Sequence, residues 1–385
     1  MKRMTAYSFF TLAFLTLAGI VACSKQEEEG LLPIRFTCAP LVEVTTKANS
    51  SFIGGSGPLN NGQHFGVYAW NTGNSYLTSN PGSPGFISTA WDVQFTNNED
   101  KGANNEYDPV NFWPRSSGYD YSFAAYYPYE GAGITPSFPA GTVGQYSFTA
   151  QSTAASMVDF CVSDIANDMT YATTNSGYDG TVQLTFRHTL CRVQFKFIKA
   201  QDLSDDFHIK ILDAKLKNVK TTGTLTATYA PPSSPAHGVA GTTTLEWDGV
   251  GTLRDYEITI NGVDPDPAHL PSATEVEIGH SPTLATRDVF LMIPDEVRPG
   301  NGTFPQQLWL QWKVGDEEPT TTELWLSDCI QAIGNDTPAN IHWETNSFVT
   351  YTIVIGARPI DFSTSVTITS WDAEPEVNGY YPIIM

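Results

Sequence analysis

Residues 180–199 read GTVQLTFRHTLCRVQFKFIK. Val182, Leu184 and Phe186 alternate with polar neighbours, and Leu190, Val193, Phe195 and Phe197 take up the pattern after a short break. Side chains two apart share one face of a strand, so this spacing predicts half-buried β-strands and not a helix. The same signature recurs on both sides of it. Runs of this kind are 63–70, 121–127, 208–216, 221–229, 289–293, 308–314, 323–326, 348–355 and 366–371, many of them closed by Gly, Pro, Asn or Asp. No long stretch sustains a 3.6-residue period, so the chain reads as all-β, built of sandwiches and not of βαβ units.

Composition agrees. Charged residues are only 16% of the 385, while Gly 31 and Pro 25 supply turn punctuation, and a 41% apolar fraction is enough for substantial cores. A chain of this length exceeds one ordinary core, and about as many strands follow residue 185 as precede it. The expected layout is therefore 31–185 for an N-terminal sandwich and 186–385 for a C-terminal one, the latter ending in a tail, 372–385. A net charge of −21 argues against a nucleic-acid partner or an anionic membrane surface, both of which need clustered Lys and Arg.

The N-terminus carries its own signal. Lys2 and Arg3 precede an uncharged, mostly apolar run, Ala6 to Ala22, too short to span comfortably and suited to a signal peptide over 1–22. It ends Ile20-Val21-Ala22-Cys23, which looks like a bacterial lipobox: cleavage before Cys23 would leave its thiol carrying a diacylglycerol. Ser24-Lys25-Gln26-Glu27-Glu28-Glu29 then forms an acidic tether over 23–30. A lipid at Cys23 would be the membrane anchor, holding the chain to the outer membrane.

Cys38, Cys161, Cys191 and Cys329 remain, an even number that permits two disulfides. Cys161 and Cys191 fall inside apolar strands, which favours unpaired buried thiols. With no Cys-x-x-Cys and no histidine close to a cysteine pair, spacing supplies no zinc signature, and no metal or other cofactor is expected. Asp264-Pro265-Asp266-Pro267 and Asp316-Glu317-Glu318 lack EF-hand spacing. No Gly-x-Ser-x-Gly elbow, His-Glu-x-x-His or phosphate-binding glycine loop occurs, so no enzyme is expected. His188, beside Arg187 in a strand, reads as a hydrogen-bonded structural residue. The tryptophans sit mostly in alternating strands, where core packing is the default, and Trp309 and Trp312 fall on opposite faces of one strand.

Several segments in order resemble the fimbrillin family, the Mfa-like subunits of type V pili. They are Ile34-Arg35-Phe36, Val44-Thr45-Thr46-Lys47-Ala48, Phe65-Gly66-Val67-Tyr68-Ala69 and Phe112-Trp113-Pro114. They continue with 121–128, then 186–197, Tyr351-Thr352-Ile353-Val354-Ile355 and 366–371. The resemblance implies two tandem transthyretin-like β-sandwiches and a surface lipoprotein precursor. It also implies cutting by a trypsin-like protease after Lys47, releasing Ala48 as the new N-terminus. Lys47 stands where Arg is commoner in the family, so an Arg-specific protease would spare it.

The family assembles by β-augmentation: a removed N-terminal strand leaves an open edge and groove that a neighbouring pilus subunit fills. Residues 31–47, with apolar Ile34, Phe36 and Leu41, would be the removable strand, and Cys38 would leave with it. The tail 372–385 holds Val377, Tyr380, Tyr381, Ile383 and Ile384, but Pro375 and Pro382 interrupt it. Each proline removes a ladder hydrogen bond, making a mediocre donor and tilting the reading towards a tip or accessory subunit that adheres to a host or bacterial surface ligand. The alternative is an outer-membrane surface lipoprotein that binds glycans through exposed aromatics.

Overall fold

The computed structural model describes residues 33–38, 63–71, 91–94, 97–98, 102–103, 111–113, 121–129, 131, 133–140, 143–153, 156–169, 180–230, 241–248, 251–258, 276–281, 283–298, 303–329, 342–356 and 362–370. No α-helix occurs among them; the chain is an all-β stack of sheets, as the alternating pattern requires. Strands are numbered in chain order.

The first large sheet runs β12 (Phe186–His188), β9 (Cys161–Ser163), β6 (Tyr121–Tyr127), β2 (His64–Asn71) and β3 (Trp91–Gln94), with β10 (Ala166–Met169) also on β6. Its middle strand, β6, is buried on both faces after Tyr121, so it lies between two layers. Gly66 on β2 faces Tyr126 on β6, and a Cβ there would collide with the Tyr126 ring. A separate two-stranded sheet sets β1 (Arg35–Cys38) parallel to β11 (Thr181–Leu184). A small hairpin pairs β4 (Asn97–Asn98) with β5 (Gly102–Ala103).

A four-stranded sheet follows the order β16 (Thr242–Asp248), β15 (Thr222–Ala230), β8 (Val143–Thr149) and β7 (Ile134–Ala140). A second is ordered β19 (Thr283–Met292), β13 (Cys191–Lys199), β24 (Ser347–Ile355) and β25 (Phe362–Ser370), with β13 and β24 parallel along their length. The last large sheet is β17 (Leu253–Glu257), β14 (Ile209–Lys220), β21 (Gln307–Val314) and β22 (Thr320–Trp325), with β18 (Val276–Ile278) on β14. A two-stranded pair joins β20 (Asp295–Glu296) to β23 (His342–Trp343).

β14 hands directly to β15 through one residue, Thr221, although the two strands belong to different sheets. Thr221 is buried, and both its N–H and its Oγ1 donate to the carbonyl of Thr252, at 2.8 and 2.9 Å. Just before it, Asn218 takes φ 60 where the β14–β17 register slips, a bulge that bends the long strand. The backbone N–H of Asn218 donates to Asp255 at 2.9 Å, so the bulge does not leave its donor unmet.

Residue 185 falls between β11 and β12, and the sheet β16-β15-β8-β7 joins strands from both sides of it. β8 and β15 are paired from Thr149↔Thr222 to Val143↔Thr228, and buried Tyr146 and Tyr229 share a 2.9 Å hydroxyl hydrogen bond across that pairing. The apolar core forms two clusters. The larger takes side chains from Tyr68 through Ile355, and the smaller runs from Ile34 to Phe186.

Candidate functional site: the seat of the N-terminal strand

β1 is held by backbone and by two side chains. Ile34 N–H donates to Asn111 O at 2.8 Å and Arg35 N–H to Gly180 O at 3.0 Å, after which the ladder with β11 runs from Arg35↔Thr181 to Cys38↔Leu184. Alternation then sorts the side chains: Ile34 and Phe36 are buried and Arg35 is exposed. Phe36 meets Phe123 edge-to-face at 5.5 Å, and Trp113 meets Phe123 at 5.9 Å. The Trp113 indole also donates to Gly180 O at 2.9 Å. Gly180 therefore anchors both the strand and the wall beside it, and its φ of 80 is a conformation side chains disfavour. Val182 and Leu184 of β11 complete the lining.

The stretch around residue 186, which decides the fold in the sequence, is a hub of structural contacts. Arg187 grips Asp164 with two hydrogen bonds of 2.8 Å, and that contact raises its pKa further above the ordinary guanidinium value. His188 Nδ1 lies 2.8 Å from Asp159 Oδ2, with both groups buried. Thr189 donates through its N–H and its Oγ1 to Phe160 O, at 3.0 and 2.7 Å. Cys191 Sγ lies 3.2 Å from Ser347 Oγ, and burial pushes the thiol pKa up to about 12. The Arg192 guanidinium sits 4.4 Å above the Phe348 ring.

Cys23, Lys47, Ala48 and the tail 372–385 lie outside the described residues. Cys161, Cys191 and Cys329 are all buried. Trp113, Trp312 and Trp343 are core residues, and Trp343 donates to Tyr351 Oη at 3.0 Å. Trp309 and Trp312 do lie on opposite faces of β21, since its burial alternates along the strand. The exposed large apolar side chains among the described residues are Phe112, Phe304 and Trp325. Sequence reasoning missed Asp159 as the partner of His188; Asp159 lies just before β9 and outside any strand, so no alternation marked it.

A family model described as fimbrillin-like matches residues 46–371. The chain belongs to the fimbrillin-like family. Membership places it among structural fimbrial subunits displayed at the cell surface, not among enzymes. Among solved structures, this fimbrillin-like chain is similar to a fimbrial protein from Bacteroides vulgatus. The likeness has 18% identity and a TM-score of 0.54 over 88% of this chain and 99% of that one, and it shows the fold. A cell adhesion protein from Bacteroides uniformis matches at 14% identity and TM-score 0.48, over 90% of this chain and 100% of that one. The tip fimbrial protein Mfa3 from Porphyromonas gingivalis matches at 9% identity and TM-score 0.36, over 89% and 98%. No curated protein matches the sequence. No helix among the described residues is long and apolar enough to cross a membrane.

Proposed function

We propose that the fimbrillin-like chain is a tip or accessory pilus subunit that adheres to a surface ligand. It is exported as a lipoprotein, anchored in the outer membrane through Cys23, and assembled by strand exchange after cleavage between Lys47 and Ala48. The observation that carries this reading is the seat of β1. Its residues end at Cys38, before Lys47 and before residue 46, where the family match begins. It contributes a short parallel ladder and two buried side chains, Ile34 and Phe36, to a core otherwise formed by later residues. Removing it would expose the Val182–Leu184 edge and an apolar groove beside Phe123 and Trp113, which a strand from another subunit could fill. Two prolines in the tail, Pro375 and Pro382, support a subunit that accepts a strand more readily than it gives one.

N-terminal mass mapping of protein from its native outer membrane, with and without trypsin, tests the proposal. The expected result is a mature chain beginning at Ala48, together with higher-order ladders on unheated gels. A chain found only as acylated Cys23 and always monomeric would sink strand exchange and leave an anchored lipoprotein. Glycan binding that Trp325→Ala abolishes would then favour the lipoprotein reading, because Trp325 is 42% exposed and offers a stacking face.

A further inference from the structure

Away from the seat of β1, the register of the first sheet gathers three side chains of metal-binding type. Cys161 on β9 is paired directly with His188 on β12, and Tyr127 on β6 is paired with Cys161 from the other side. Asp159 stands in the segment just before β9, and its carboxylate reaches the same imidazole. His188 Nδ1 lies 2.8 Å from Asp159 Oδ2 and 3.5 Å from Cys161 Sγ. The three donor atoms all fall within 4.8 Å of one another, and all three residues are buried.

We propose that Cys161 Sγ, His188 Nδ1 and Asp159 Oδ2 bind one divalent transition-metal ion, zinc by the character of the donors. Sulfur and carboxylate approach the same imidazole nitrogen. In a nucleophile–base–orienter array they would sit on opposite nitrogens, so the arrangement does not make a proton relay. It does give three donors a common focus. Thiolate, imidazole and carboxylate together are a zinc-type set. A tetrahedral zinc holds sulfur and nitrogen ligands about 3.5 Å apart, given bonds of about 2.3 and 2.0 Å. The Cys161–His188 pair already has that separation, and loading opens the His188–Asp159 pair by about 0.6 Å.

Charge supports the same assignment. A thiolate and a carboxylate cancel the two positive charges of the ion, so the loaded site is neutral and suited to a buried position. On loading, the Cys161 thiol releases its proton to solvent and its sulfur lone pair forms the metal bond. Any proton on His188 Nδ1 leaves that nitrogen likewise, and no oxidation state changes. Tyr127, paired with Cys161 on the other side, belongs to the same row, and its hydroxyl accepts a 2.8 Å hydrogen bond from Gln63 Nε2. The ion cross-links β9 to β12 and stiffens the sheet whose other members pack on Phe36. Sequence spacing hides this site because its ligands are collected by cross-strand register and not by a Cys-x-x-Cys turn.

The test uses the full-length protein purified without chelator. Elemental analysis is expected to find equimolar zinc. Unfolding and refolding in cobalt(II) is expected to give a thiolate-to-cobalt charge-transfer band in the near ultraviolet. Cys161→Ser, close to isosteric, should lose that band while keeping its far-ultraviolet circular dichroism. Asp159→Asn should weaken metal affinity by at least about 10-fold, the loss seen even for outer-shell partners. Wild-type protein that stays metal-free, gives no cobalt band on refolding and unfolds at one temperature with or without chelator would overturn the proposal. Because that last result needs no variant, misfolding of a mutant cannot obscure it.

Discussion

Cys191 shows how far burial can silence a reactive residue. It opens β13, an inner strand of the β19-β13-β24-β25 sheet, 3.2 Å from Ser347 Oγ, and its pKa is pushed up to about 12, chiefly by removal from water. Only the thiolate attacks alkylating reagents, so near neutral pH the native protein should leave this cysteine unmodified. Iodoacetamide labelling with peptide mapping is the measurement: no label at Cys191 in the native protein and full label in denaturant. Native labelling at a rate near that of free cysteine would contradict the buried placement. Leu190 directly before Cys191 and Val193 two residues after it made its burial legible in the sequence. Its partner Ser347, 156 residues away, was not, because β13 and β24 meet only through the parallel pairing of the folded sheet. The same holds for His188: a structural role was readable from its strand, but Asp159 and Cys161 became its neighbours only through register.

At the scale of elements, β1 is the strand whose removal should matter most. Phe36 fills a space between Phe123 and β11, so Phe36→Ala leaves a cavity and should cost about 3–5 kcal/mol. Arg35→Ala, on the exposed face of the same strand, should cost within about 0.5 kcal/mol. Denaturant melts of the two variants check the contrast, and equal losses would mean that β1 is not seated as described. Most strands were readable from alternation, including β2, β6, β13, β14, β21 and β24. β7 was not, because Pro136 and Pro139 break its pattern; it lies at the edge of its sheet, where a missing N–H costs no ladder bond. β16 escaped for another reason. All its side chains are exposed or half-buried, so no apolar face marks it.

For the molecule as a whole, buried phenols set an alkaline limit. Burial raises Tyr68 to about 12 and holds Tyr127, Tyr146, Tyr229 and Tyr351 well above the ordinary phenol value. Unfolded, each ionises near pH 10, so above that pH the unfolded chain has released protons that the folded one keeps. Stability is then fully present below about pH 10 and falls as pH rises through the native values. The melting temperature should hold steady to about pH 9 and drop beyond it, with a step in phenolate absorbance at unfolding. A smooth titration of every tyrosine near pH 10 without unfolding would refute this. Cooperativity follows from the same buried contacts. The β8–β15 pairing, the Tyr146–Tyr229 hydrogen bond, the donation of Tyr256 Oη to Gln151 O at 2.9 Å and the ring contact of Trp247 with Phe148 at 5.8 Å all span residue 185. Neither side can lose its strands without stripping partners from the other. A chain cut at 185 would expose Leu225, Ala227 and Tyr229 on one fragment and Tyr146 and Phe148 on the other, since these are buried in the shared core. The intact protein should therefore unfold in denaturant in a single transition, with tryptophan fluorescence and circular dichroism superimposed. Two transitions separated in denaturant would mean that the shared sheet is not what couples the halves.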